Sequence, residues 1–142
     1  MERIKRRRDF LAAARAFSFV TPGLVLQARD RGDDAAARIG LTATRKLGKA
    51  VTRNRVKRRL RAAAESVLPE AGLPGFDYVI IGRSHTAERD FADLQADIRR
   101  AADKVHAAWQ ARKVSGIRAE AAKDPDRKAE VSPGDSPEAR TS

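Results

Sequence analysis

The segment 45–61 carries nine basic residues (Arg45, Lys46, Lys49, Arg53, Arg55, Lys57, Arg58, Arg59 and Arg61) and no acidic one. Val56, Leu60, Ala63 and Val67, beginning inside that segment and running past it, recur at four, three and four residues, which predicts a helix over 51–67 with one narrow apolar stripe. Such a helix can dock only along that stripe. Asn54, Arg55, Arg58 and Arg61 then fall on the opposite side, with Lys57 and Arg59 at the flanks. Like charges at helical spacing repel, so folding gains nothing from the run. A polyanion neutralises it and releases counterions, which makes nucleic acid the expected partner. Arginine suits bidentate phosphate contacts, and Asn54 can both donate and accept, as contact with a nucleic-acid backbone or a 2′-hydroxyl needs. A membrane-surface helix would need a bulkier apolar face than Val, Leu and Ala provide.

The charge is unevenly placed along the chain. Residues 1–61 hold 18 basic and 5 acidic side chains, whereas 62–142 hold 12 basic and 14 acidic, so the whole excess of the +11 net charge lies in the first half. At 142 residues one domain is expected, with a small core because 27 residues are alanine. The lack of cysteine excludes disulfide frameworks, zinc knuckles and cysteine nucleophiles. No stretch approaches the roughly 18 apolar residues of a membrane span. Arg3 to Arg8 followed by 10–20 mimics a signal peptide, but Asp9 and Arg15 interrupt the apolar part. From 116 to 142 there is no aromatic, and Pro125, Pro133 and Pro137 are spaced among mixed charges. That composition predicts a disordered polar tail over 116–142 and an ordered domain over 1–115.

Within the domain, Asp9 is expected to cap a short helix over 10–15, ended by Pro22-Gly23. Alternation over 24–29 and 38–44 predicts two antiparallel strands joined by a hairpin loop at 30–36. A loop is expected over 69–75. Tyr78-Val79-Ile80-Ile81 reads as a strand buried on both sides, and Phe91, Leu94, Ile98, Ala101, Val105 and Ala108 as a helix over 91–111 capped by Asp90. The order α-β-β-α-β-α argues an α+β sandwich. Catalytic groups are sparse. Asp90, Asp93 and Asp97 share a helix face but read as favourable charge at a helix start, and Asp33-Asp34 as turn chemistry. His85 and His106 have no partner at ligand or triad spacing. Leu47-Gly48-Lys49-Ala50 lacks the earlier glycine and the Ser/Thr of a phosphate-binding loop.

The stretch from Arg45 to Arg61, centred on Arg53-Asn54-Arg55, resembles the signature of the bacterial ribonuclease P protein family. Arg8-Asp9-Phe10, Arg38-Ile39-Gly40-Leu41 and Asp77-Tyr78-Val79-Ile80-Ile81 extend the likeness over roughly 3–112. The resemblance implies a two-layer α+β sandwich similar to the second domain of ribosomal protein S5, with a small mixed sheet and a left-handed crossover. It implies a cytoplasmic holoenzyme in which an RNA subunit holds the catalytic Mg²⁺ and removes the 5′ leader of precursor tRNA. No obligate protein partner and no catalytic or metal-binding protein residue are expected. Lys46, Arg53, Asn54, Arg55, Arg58 and Arg61 match RNA-contacting positions of the family, and Phe10 an aromatic of its leader cleft. Two positions depart from the family: Ala14 replaces a frequent second aromatic, and Gln27 a frequent tyrosine. Leader contacts are therefore expected to draw on Phe17, Phe19 or Arg29 beside Gln27. A ribosomal or other structural RNA-binding protein is the alternative that the same charge and fold would serve.

Overall fold

The most apolar segment becomes the centre of the molecule. A computed structural model describes residues 1–122, with side chains to Ser115. Five strands, β1 (Glu2–Arg3), β2 (Phe17–Val20), β3 (Leu24–Asp30), β4 (Arg38–Thr42) and β5 (Phe76–Gly82), form one sheet in the order β1-β4-β5-β3-β2. β5 is parallel to β4 and antiparallel to β3. Central placement flanks β5 with a strand on each edge, and its side chains, Ile81 excepted, are buried, as its continuous apolar run requires.

That insertion corrects the expected hairpin. β3 and β4 are not neighbours, because β5 lies between them. Alternation says which face a residue occupies but not which strand lies alongside. The segment after β3 crosses the end of β5 instead, with Arg31 N–H donating to the Gly75 carbonyl (2.8 Å) and Gly75 N–H to the Ala35 carbonyl (2.6 Å). Gly75 takes φ 79° in this crossing. The true hairpin is β2–β3, turned at Thr21-Pro22-Gly23, where Thr21 Oγ1 accepts from Leu24 N–H at 3.1 Å.

Among the described residues three α-helices cover the sheet: α1 (Arg7–Ala14), α2 (Ala50–Ala71) and α3 (Phe91–Ala122). α2 and α3 share one face, where Val56, Leu60, Ala63, Val67, Leu94, Ile98 and Val105 meet Leu24, Leu26, Ile39, Phe76, Tyr78 and Ile80. Among the described residues, the other face carries only α1, through a small cluster of Ile4, Ala13 and Val79 with Phe10 and Ile81 against it. α2 runs past the expected loop start, with Pro69 inside its last turns. α3 continues beyond 111, so 116–122 of the expected tail are helical; the remainder, 123–142, lies outside the described residues. Asp9 does not cap α1. The cap position is Arg6, without a side-chain bond, and Asp9 lies inside the helix.

A candidate RNA interface

Burial of Val56, Leu60, Ala63, Ala64, Val67 and Leu68 fixes the rotation of α2. At 100° per residue Asn54, Arg55 and Arg58 point away from the sheet, and all three are exposed. Arg45 and Lys46 occupy a 3₁₀ turn ahead of the helix, and Gly48 then adopts φ 123°. Lys49 holds the N-cap position without a capping bond, and the first turn contains no acid. A helix start normally favours negative charge, so cations here add to the positive end of the helix dipole. The result is a cationic surface shaped for an anion. Arg53 folds back on the turn, donating to the Gly48 carbonyl at 2.9 Å.

One flank of α2 enters a cleft. Lys57 and Arg61 join Arg3, Ile4, Phe10, Ile39, Gly40 and Leu41 around a space of about 170 Å³ between α1, β4 and α2. Gly40 makes this possible, since a Cβ there would stand 2.5 Å from Phe10 Cε1. The Phe10 ring thus lies directly on the strand, half-buried beside two cations. Arg61 Nε is buried without a hydrogen-bond partner among the described residues. Aromatic surface beside cationic groups suits a nucleotide strand, which presents bases and phosphates together. The cleft does not suit Mg²⁺, because its charged side chains are cations rather than oxygen ligands.

The structure separates the other expected site residues. Arg59, on the opposite flank, is taken up by the protein: its guanidinium donates to the carbonyls of Thr86 (2.5 Å), Ala87 (3.1 Å) and Arg89 (2.5 Å). Phe17 is not beside Phe10. It pairs with Ala28 across β2–β3 and is 4 % exposed under α3, with the Arg112 guanidinium over its ring. Phe19 shares that face, below Arg100. Gln27 does lie on the α1 face, half-buried and in register with Val79, and Arg29 lies two residues along the same strand.

Arg29 belongs to an ion cluster that the sequence reading missed. Asp77 is in register with Arg29 on one side and Arg38 on the other, and its side chain is 0 % exposed. It accepts from Arg29 (3.0 Å), Arg31 (2.6 Å) and both Nε and an Nη of Arg38 (2.7 Å each). Burial alone would raise the Asp77 carboxyl, but the Arg38 and Arg31 hydrogen bonds outweigh it and hold the group below the usual carboxylate range. Asp9 from α1 joins the cluster through Arg29 at 3.2 Å and Arg38 at 3.5 Å. The available signal was a carboxylate within a strand that is otherwise apolar, since burial demands paired cations. Asp97 is likewise consumed, by Arg89 at 2.6 and 3.1 Å. His106 lies against Tyr78, whose hydroxyl accepts from Leu73 N–H (2.8 Å) and is 2.6 Å from His106 Nε2. Burial pushes the Tyr78 phenol up to about 12 and the His106 imidazole below its ordinary value.

Comparison with known proteins gives the family. Residues 1–106 match the family model described as Ribonuclease P. A ribonuclease P protein component from Ruegeria pomeroyi is 51 % identical over 107 residues, covering 73 % of this chain and 86 % of the relative. One from Gluconacetobacter diazotrophicus is 52 % identical over 99 residues, covering 69 % and 85 %. Among solved structures, the ribonuclease P protein from Thermotoga maritima is 30 % identical with a TM-score of 0.59, over 70 % of this chain and 97 % of that one. The exposed arginines of α2, the cleft at Phe10 and these relationships lead to one family: the chain belongs to the ribonuclease P protein components, subunits of the endoribonuclease that processes tRNA 5′ ends.

Proposed function

We propose that the two cationic surfaces divide the work of the holoenzyme. The outward arc of α2, with Asn54, Arg55 and Arg58 and the preceding Arg45, Lys46 and Lys49, grips the RNA subunit. The cleft between α1, β4 and α2 takes the 5′ leader of precursor tRNA, with Phe10 stacking a base and Lys57 and Arg61 meeting phosphates. Gln27 lies along the same face of the sheet. The observation that carries this reading is the Phe10 ring seated on Gly40 beside Lys57 and Arg61, around the corner from the exposed arc. In this reading the catalytic Mg²⁺ belongs to the RNA; the cleft offers cations, and Asp9 and Asp77 are paired with arginines.

The test separates the two surfaces. Arg55→Ala with Arg58→Ala should weaken binding to the RNA subunit and flatten its salt dependence, each lost phosphate contact removing roughly 0.7–0.9 from the log–log slope. Phe10→Leu should spare RNA-subunit affinity and reduce holoenzyme affinity for precursor over mature tRNA, by about 1–3 kcal/mol for one lost stack. An unchanged precursor-to-mature ratio in Phe10→Leu refutes the leader assignment. RNA-free protein should not cleave precursor tRNA at any Mg²⁺ concentration, and reproducible cleavage would overturn the division of labour.

A further inference from the structure

We infer that Asp9 is a positioning residue, fixing the rotation of α1 so that Phe10 faces the cleft; the functional consequence rests on the leader reading above. α1 cannot hold itself in place. It has eight residues, an Arg6 N-cap without a capping bond, and only Ala13 fully buried. Helices this short are marginal in water. Arg6, Arg7 and Arg8 also crowd its positive end, where cations are unfavourable.

Beside the small apolar contact of Ala13 and Phe10, its polar anchor is one carboxylate. Asp9 reaches the sheet through Arg29 at 3.2 Å and Arg38 at 3.5 Å, and its side chain is 13 % exposed. Those two guanidiniums are themselves immobilised. Arg38 makes two bonds to Asp77, and the Arg29 nitrogen that meets Asp9 also meets Asp77 at 3.0 Å. Strand register sets Arg29 and Arg38 on either side of Asp77, so the anchor is as rigid as the central sheet. Successive helix residues differ by 100° in azimuth. Holding Asp9 against the arginines therefore determines where the next side chain points, and that side chain is Phe10, over Gly40. The competing role for Asp9 is to mask two cations. Its removal would then free Arg29 and Arg38 for phosphate and strengthen leader binding, which is the opposite sign.

The experiment uses reconstituted holoenzyme with Asp9→Ala, Asp9→Glu, Phe10→Leu and the Asp9→Ala/Phe10→Leu double variant. Alanine favours the helix, so α1 is not lost through propensity. Affinity for precursor over mature tRNA should fall at least threefold in Asp9→Ala and about fivefold or more in Phe10→Leu. The double variant should match Phe10→Leu alone, because a residue acting through Phe10 has nothing left to act on. Asp9→Glu, which keeps the charge, should recover most of the ratio. Independently of RNA, 4-fluorophenylalanine in the full chain gives one ¹⁹F resonance for each of its five phenylalanines, with Phe10 assigned by its loss in Phe10→Leu. That resonance should shift or broaden in Asp9→Ala. An unmoved Phe10 resonance, an unchanged or raised ratio in Asp9→Ala, or multiplicative losses in the double variant each overturn the inference. A Phe10→Leu ratio equal to wild type refutes the leader reading instead, while the ¹⁹F result still decides whether Asp9 places the ring.

Discussion

Replacing Asp77 with alanine removes the acceptor of four hydrogen bonds of 2.6–3.0 Å from three arginines. Bonds to charged groups contribute about 1.5–3 kcal/mol each, so a simple sum runs to roughly 6–12 kcal/mol. That sum is too large, because the arginine side chains are 25 %, 9 % and 23 % exposed and regain water when released. Breaking a buried ion pair by deleting one partner costs about 3–5 kcal/mol, and this is the expected loss. Against a domain stability of about 5–15 kcal/mol, Asp77→Ala folds but with little reserve. In urea, with a slope near 1.5 kcal/mol/M, its midpoint should fall by about 2–3 M. Asp77→Asn keeps the volume without the charge and should lie between. The acid limb supplies an independent check. The folded Asp77 carboxyl sits below its ordinary value of 3.8, so its stabilisation is fully present above that pH and is lost as pH falls through the folded value. Asp77→Asn should flatten that part of the acid transition. A urea shift under about 0.5 M with an unchanged acid limb would refute the view that this cluster ties the sheet together.

Further outcomes follow from the same geometry. Arg59→Ala should cost about 1–3 kcal/mol in chemical denaturation through its lost carbonyl contacts, yet change the salt slope of RNA binding less than Arg58→Ala does. Tyr78→Phe strands the Leu73 N–H and the His106 ring nitrogen and should lower stability by about 1–3 kcal/mol at pH 7.5. His106 is held below its ordinary 6.5, so its contribution is present above that pH and is lost as pH falls from 6.5 through the folded value. His106→Gln, an acceptor that does not titrate, should flatten thermal stability across that interval. Gly40→Ala sets a methyl where the Phe10 ring lies and should lower precursor over mature affinity without weakening RNA-subunit binding.

The cationic arc was legible because two overlapping signals, the basic run over 45–61 and the apolar stripe over 56–67, agree. The Val56–Leu60–Ala63–Val67 stripe sets the rotation, and the absence of any acid leaves the far side with one sign of charge. Strand partners were not legible, since β3 and β4 alternate equally well beside each other or beside β5. The misplacement of Phe17 has a specific origin. Phe17-Ser18-Phe19-Val20 is itself a short alternating strand, and its register with β3 carries both aromatics to the α3 face, away from Phe10. Without β2, those residues remained free to be assigned to either side. Asp9 looked like a cap because it precedes an apolar helix stretch. The helix instead begins at Arg7, and the carboxylate is drawn to arginines that are distant in sequence and adjacent only in the folded sheet.

The same limit explains which arginines stay available to a phosphate. Sequence counts guanidiniums but not the acceptors that fold against them, and an arginine fork already closed by protein is poorly available to a phosphate. Arg59 faces three carbonyls of the segment after β5, which no pattern in 45–61 could reveal. Arg29, Arg31 and Arg38 are closed by Asp9, Asp33 and Asp77. Arg55 and Arg58 sit on the arc of α2 farthest from the sheet, where neither strand nor loop can supply an acceptor. Arg61 is intermediate, with a buried Nε and a place on the cleft wall. Charge density thus locates the cationic helix, whereas the distribution of protein acceptors around it decides which of its cations hold the fold and which stay open to a polyanion.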